Sequence, residues 1–112
     1  SYVVSDTSLT DDGEGEIVHL LASHQDQVMT APAGAEVIAR NEHCEIAGLK
    51  IGEQILTFQG HPEFIPEYSR EIMTFRRPMI GDERVQAGMA SLGTIEHQGE
   101  RVARWILDFL RA

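Results

Sequence analysis

A chain of 112 residues, with 18 acidic against 9 basic side chains and a formal charge of −9, is sized for one domain. That charge opposes partnership with nucleic acid or an anionic membrane surface, which call for clustered Lys and Arg. No apolar run reaches membrane-spanning length, and no signal-peptide series is present. Cys44 is the single cysteine, so an internal disulfide is excluded and a reducing compartment, the cytoplasm, is expected. A start at Ser1 fits a trimmed initiator methionine or a cut inside a longer protein.

In chain order, Tyr2 to Ser5 is a short β-prone segment, and Asp-Asp-Gly-Glu-Gly at 11–15 reads as an acidic turn. Asp11, Asp12, Glu14 and Glu16 offer oxygen ligands, but their spacing lacks the pattern of a calcium loop. Ile17 to Ser23 is apolar enough for a strand. Ala31-Pro32-Ala33-Gly34 breaks the chain, and Glu36 to Arg40 with Glu45 to Ile51 are expected to pair. Gln54 to Gln59 is nearly all apolar, as expected of a parallel-type strand covered on both faces.

Beyond Gly60 the pattern turns helical. Pro66 suits a first helical turn, where its missing N–H is not needed, and a helix is predicted from Ile65 to about Phe75. Asp82 is expected to cap a helix running through Val85, Met89 and Leu92. Val102, Trp105, Ile106, Phe109 and Leu110 form one apolar stripe at helical spacing, which predicts a core-facing helix. Strands followed by one covered strand and then helices make a lopsided set. A covered strand needs neighbours that this chain scarcely supplies, so a further portion of the domain is expected elsewhere.

The chemistry-bearing segment is Gln59-Gly60-His61-Pro62-Glu63-Phe64. Pro62 biases His61 towards extended geometry, and in an extended chain alternate side chains share a side. Glu63 can then accept the Nδ1–H of His61, leaving Nε2 to exchange a proton. The end of a sheet strand is where α/β folds place their sites. By spacing alone the pair is equally a surface turn. His19, His24, His43, Cys44 and His61 lack compact zinc-ligand spacing, so no metal is expected.

The segment resembles the His-Pro-Glu signature of class I glutamine amidotransferases. Ser23-His24-Gln25-Asp26-Gln27-Val28 is similar to their Ser-His-x-Asp-x-Val stretch. Pro32-Ala33-Gly34-Ala35-Glu36-Val37 and Asn41-Glu42-His43-Cys44 follow the pattern between them. The likeness spans roughly Ile17 to Tyr68 and is greatest to stand-alone members similar to the GMP synthase amidotransferase domain. It implies a flavodoxin-like α/β domain that hydrolyses the glutamine side-chain amide with a Cys-His-Glu triad and delivers ammonia to an acceptor. His61 and Glu63 match the catalytic His and Glu, and Ser23 and His24 are expected beside the substrate. The half-reaction implies no cofactor.

The family's Gly-x-Cys-x-Gly elbow is absent from this chain, and Cys44, without flanking glycines, is not expected to replace it. Residues 1–112 are thus expected to be the C-terminal half of the domain, inactive alone. Its expected partners are the N-terminal half, another copy of the chain, or a synthetase. A non-catalytic binding module and a γ-glutamyl hydrolase are the alternatives.

Overall fold

The computed structural model describes residues 1–6, 8–9, 16–24 and 26–111. The acidic turn at 11–15 lies outside the described residues. Among the described residues five strands form one sheet: β1 (Tyr2–Val4), β2 (Glu16–Val18), β3 (Ala35–Asn41), β4 (Cys44–Ile51) and β5 (Ile55–Phe58). Their spatial order is β2-β1-β3-β4-β5, and every neighbouring pair is antiparallel. Four helices follow: α1 (Pro66–Phe75), α2 (Arg77–Ile80), α3 (Asp82–Thr94) and α4 (Gly99–Arg111).

The β3–β4 hairpin is the expected pair and the centre of the sheet. Asn41 opposes Cys44 across its tip, where the Asn41 side chain accepts the His43 N–H at 2.9 Å. That Asx contact closes the turn locally. Consecutive residues Ala47, Gly48 and Leu49 are all buried, so the covered strand is β4. The expectation for Gln54 to Gln59 is corrected accordingly. β5 is an antiparallel strand at the sheet's edge, with Ile55 48% exposed. A short apolar run carries no information on which neighbour it will pair with, and here the adjoining hairpin took it.

One face of the sheet packs on α4. Val102 and Trp105 join Tyr2, Val4, Val18 and Ala47 in a single buried cluster, with Ile106 partly buried against it. Removing apolar surface from water, worth roughly 25 cal/mol per Å², is what holds these layers together. The predicted stripe therefore serves the core through its first two turns. It runs out at Leu110, which is 68% exposed. Pro66 opens α1 as expected, whereas Gly81 occupies the cap of α3 and Asp82 is its first helical residue, bonded to Arg77 at 3.0 Å.

The strand expected over Ile17 to Ser23 stops at Val18. Here α4 intervenes: the Gln98 N–H donates to the His19 carbonyl at 2.6 Å, and the Gln98 side chain accepts the His19 N–H at 3.0 Å. With its hydrogen bonds taken by a helix start, the chain leaves the sheet and runs on towards residues 20–24. Arg101 clamps the same corner through Glu16 at 2.7 Å.

A second clamp joins β1 to β4. The Lys50 ammonium donates to Asp6 at 2.9 Å, and Ser8 donates to the other Asp6 oxygen from both its N–H and its hydroxyl. Burial alone would raise the Asp6 pKa, but the bonds from Ser8 and Lys50 together outweigh it and hold the carboxyl below its usual range. Lys50 is raised, chiefly by its bond to Asp6.

Asp6→Asn should lower stability by about 1–3 kcal/mol at neutral pH in urea unfolding. A depressed folded-state pKa contributes stability above the unfolded value, about 3.9 for Asp, and loses it as pH falls through the folded value. The difference between wild type and variant should therefore be constant above about pH 5 and close as the solution is acidified below about pH 4. A difference that widened in acid would contradict the ion pair.

Candidate active site

The turn after β5 is held from three sides. The His61 N–H donates to the Leu21 carbonyl at 2.7 Å, an isolated antiparallel bridge between the site and the segment leaving β2. Gly60, just before it, is buried against Leu20 and Tyr2, where an added Cβ would lie 2.8 Å from the Leu20 Cβ. Gly99, at the start of α4, meets Pro62, and a Cβ there would collide with the Pro62 carbonyl. The Phe64 N–H then donates to the His61 carbonyl at 3.2 Å and closes the turn.

Within that frame, His61 Nδ1 and Glu63 Oε1 are 2.6 Å apart, the pairing expected from the His-x-Glu spacing. The His61 ring stacks on Phe64, centroids 4.0 Å apart and planes within 7°, and Phe64 meets Tyr68 edge-on at 4.8 Å. The imidazole is thus fixed in plane by the stack and in rotation by the carboxylate. Its Nε2 makes no hydrogen bond among the described residues. The bond from His61 is the main reason that the Glu63 carboxyl titrates below its usual range, aided by the backbone N–H of Glu63 itself. Glu63 stays ionised at neutral pH, and a charged acceptor on Nδ1 favours the tautomer whose Nε2 can accept a proton. The His61 and Glu63 side chains are 35% and 65% exposed, so the pair adds little to stability. Its strength lies in orientation.

Ser23 and His24 follow Leu20, Leu21 and Ala22 in the chain. Both line one cleft with α1, α2 and α3. His24 Nδ1 is 2.9 Å from the Asp26 carbonyl, which also accepts from the Gln59 side chain at 3.3 Å. This loop is therefore tied to the residue two before His61. Cys44 is apart from this arrangement: it is buried at the hairpin tip, in the sheet core, with its thiol 3.5 Å from the Ile46 carbonyl. Among the described residues no three His, Cys, Asp or Glu side chains converge as a metal site, and no helix is long and apolar enough to cross a membrane.

Sequence reasoning missed Leu21, Gly99 and the stacking role of Phe64. Leu21 acts through its backbone, and Gly99 acts on Pro62 far upstream, so neither leaves a local signal. Phe64, three residues after His61 in a turn, could have been read as a ring neighbour.

The family profile of class I glutamine amidotransferases matches residues 3–79. Gamma-glutamyl peptidase 2 of Arabidopsis thaliana is 26% identical over 98 residues, covering 86% of this chain and 40% of that protein. A glutamine amidotransferase-like protein of Schizosaccharomyces pombe is 38% identical over 63 residues, 53% of this chain and 25% of its own length. Gamma-glutamyl peptidase 3 of Arabidopsis thaliana is 35% identical over 54 residues, 48% of this chain and 22% of its own length. The chain thus spans 40% or less of each of these relatives. No solved structure matches. The profile runs through the sheet, the Ser23–His24 loop and the His61–Glu63 turn, and the chain belongs to the class I glutamine amidotransferase family.

Proposed function

We propose that this chain supplies the acid–base half of an enzyme that hydrolyses a γ-glutamyl amide, His61 moving the proton and Glu63 orienting it. The observation that carries the reading is the 2.6 Å His61–Glu63 bond, which leaves Nε2 free of protein partners among the described residues. In the reaction, a cysteine thiol loses its proton to His61 Nε2 and its sulfur attacks the γ-carbonyl carbon. The amide C–N bond breaks as His61 returns the proton to the leaving nitrogen. Water, deprotonated by the same imidazole, then attacks the thioester carbon; the C–S bond breaks to give glutamate, and His61 returns the proton to the departing cysteine sulfur. General acid–base help of this kind supplies roughly 10²–10⁴-fold in rate.

The nucleophile comes from outside residues 1–112. Cys44 is 3% exposed and sits in the hairpin, without the partly open, electropositive setting that a reactive thiolate needs. We take the missing partner to be the N-terminal half of the same domain, with this chain as the C-terminal half and inactive alone. The edge position of β5 supports this, as do the exposed apolar side chains of Ile17, Ile55 and Phe75.

Two fates for the released amine remain within the proposal: ammonia passed to an acceptor, or an amino acid released from a γ-glutamyl peptide. Two of the three similar proteins are named γ-glutamyl peptidases, which favours the second over a GMP synthase-like transfer. Ser23 and His24, on the loop tied to Gln59, are proposed to border the substrate.

In the protein as its gene encodes it, His61→Ala should cut hydrolysis of glutamine and γ-glutamyl dipeptides by at least about 100-fold, measured as released glutamate. Cys44→Ser should retain activity. Loss of activity in the serine variant with an unchanged melting temperature would make Cys44 the nucleophile. A separate check reads the pair directly. In carboxyl ¹³C titrations Glu63 should titrate below the ordinary glutamate range, and should rise towards it in His61→Ala because its main hydrogen-bond donor is gone.

A further inference from the structure

We propose that the cleft between residues 20–24 and helices α1, α2 and α3 binds the leaving portion of a γ-glutamyl peptide, with Arg76 and Arg84 taking that portion's own carboxylate. The inference rests on the γ-glutamyl hydrolysis proposed above and names the substrate class of that site.

Four observations carry it. The cleft has a volume of about 630 Å³. Pockets of about 300–1,000 Å³ accommodate drug-sized ligands, so the space suits a molecule larger than glutamine. Its wall includes Leu21, whose carbonyl holds the His61 backbone, so the cleft, which His61 and Glu63 do not themselves line, starts beside the segment bridged to their turn. Ile72, Met73 and Leu92 give it apolar surface for a side chain beyond the scissile amide.

The charge distribution is the most specific of the four. The chain carries twice as many acidic as basic residues, 18 against 9, yet the described residues lining this cleft include two arginines, one histidine and no carboxylate. Neighbouring Arg77 is engaged by Asp82 at 3.0 Å, whereas Arg76 and Arg84 have no ion pair among the described residues. Guanidinium groups in such a setting match a carboxylate by paired, charge-assisted hydrogen bonds.

The test compares γ-glutamylphenylalanine with its C-terminal amide, using the protein as its gene encodes it. Wild type should show a KM for the free acid at least about tenfold below that for the amide. The advantage should narrow when ionic strength is raised from about 50 mM to about 500 mM, because both arginines are exposed to solvent. In the Arg76→Gln/Arg84→Gln variant, with its melting temperature retained, the acid-to-amide ratio should fall to about one. Equal KM values in wild type, or a preference that survives in the double variant, would overturn the proposal.

Calorimetric binding of the same two compounds to His61→Ala separates this idea from the reaction it rests on. Tighter, arginine-dependent binding of the acid without any turnover in wild type would uphold the cleft and sink the hydrolysis. Failure of both compounds to bind would sink the cleft whatever the enzyme hydrolyses.

Discussion

The 2.7 Å hydrogen bond from the His61 N–H to the Leu21 carbonyl is the constraint on which the site depends. It is one backbone contact, isolated from every ladder of the sheet. It joins two segments that sequence separates by forty positions: the stretch leaving β2 and the turn leaving β5. Together with the Gln59 side chain's bond to the Asp26 carbonyl, it ties the loop bearing Ser23 and His24 to the turn bearing His61 and Glu63. The surrounding packing defends the contact. Gly60 lets Leu20 and Tyr2 close on the backbone from one side, and Gly99 lets α4 approach Pro62 from the other. Both glycines are needed for what they lack: in each case a Cβ would occupy space held by a neighbour.

The helix stripe and the active turn are therefore parts of one mechanical chain. Val102 and Trp105 seat α4 in the core, and the seating of α4 fixes where its first residue meets Pro62. Gln98, one residue earlier, ends β2 by taking both backbone groups of His19. Ending the strand there is what frees residues 20–24 to cross towards His61. Core burial is thereby converted into a fixed placement of the turn that carries His61. The His–Glu pair itself is too open to water to stabilise the fold.

How much of this the sequence disclosed depended on the range over which each cause acts. Local causes were readable. Pro66 at a helix start, the apolar stripe of α4, the β3–β4 hairpin and the mutual reach of His61 and Glu63 each follow from a few adjacent residues. Causes acting across the fold were not. Ile17 to Ser23 has strand composition, yet Gln98 cuts the strand at Val18 from eighty positions away. Gln54 to Gln59 reads as covered on both faces, but exposure belongs to neighbours, and β5 lies at an edge. Asp82 looks like a cap and is bonded instead to Arg77, because Gly81 already occupies that place. The arginines at 76 and 84 carry no local pattern at all; only the packing of α1, α2 and α3 brings them to one cleft.

The electrostatics of the chain bear on the proposed reaction in the same way. A net charge of −9 should repel an anionic substrate over most of the surface. Such repulsion falls off over a Debye length of about 8 Å at physiological salt, so the field a substrate meets is set by its immediate lining. Near His61 that lining is mixed, since Glu63 is ionised and is committed to the imidazole. In the proposed reaction the imidazole must accept a proton at Nε2, the nitrogen that the Nδ1 bond to Glu63 leaves available. The negative charge of Glu63 would disfavour a second carboxylate close by. Under that proposal, a substrate with a carboxylate on its leaving portion is better accommodated if that charge lies away from Glu63 and against the guanidinium groups of Arg76 and Arg84, which have no ion pair among the described residues. For the proposed reaction, the ionised Glu63 and the arginines of the cleft thus favour placing the leaving portion's carboxylate in the cleft over placing it beside the His61–Glu63 turn.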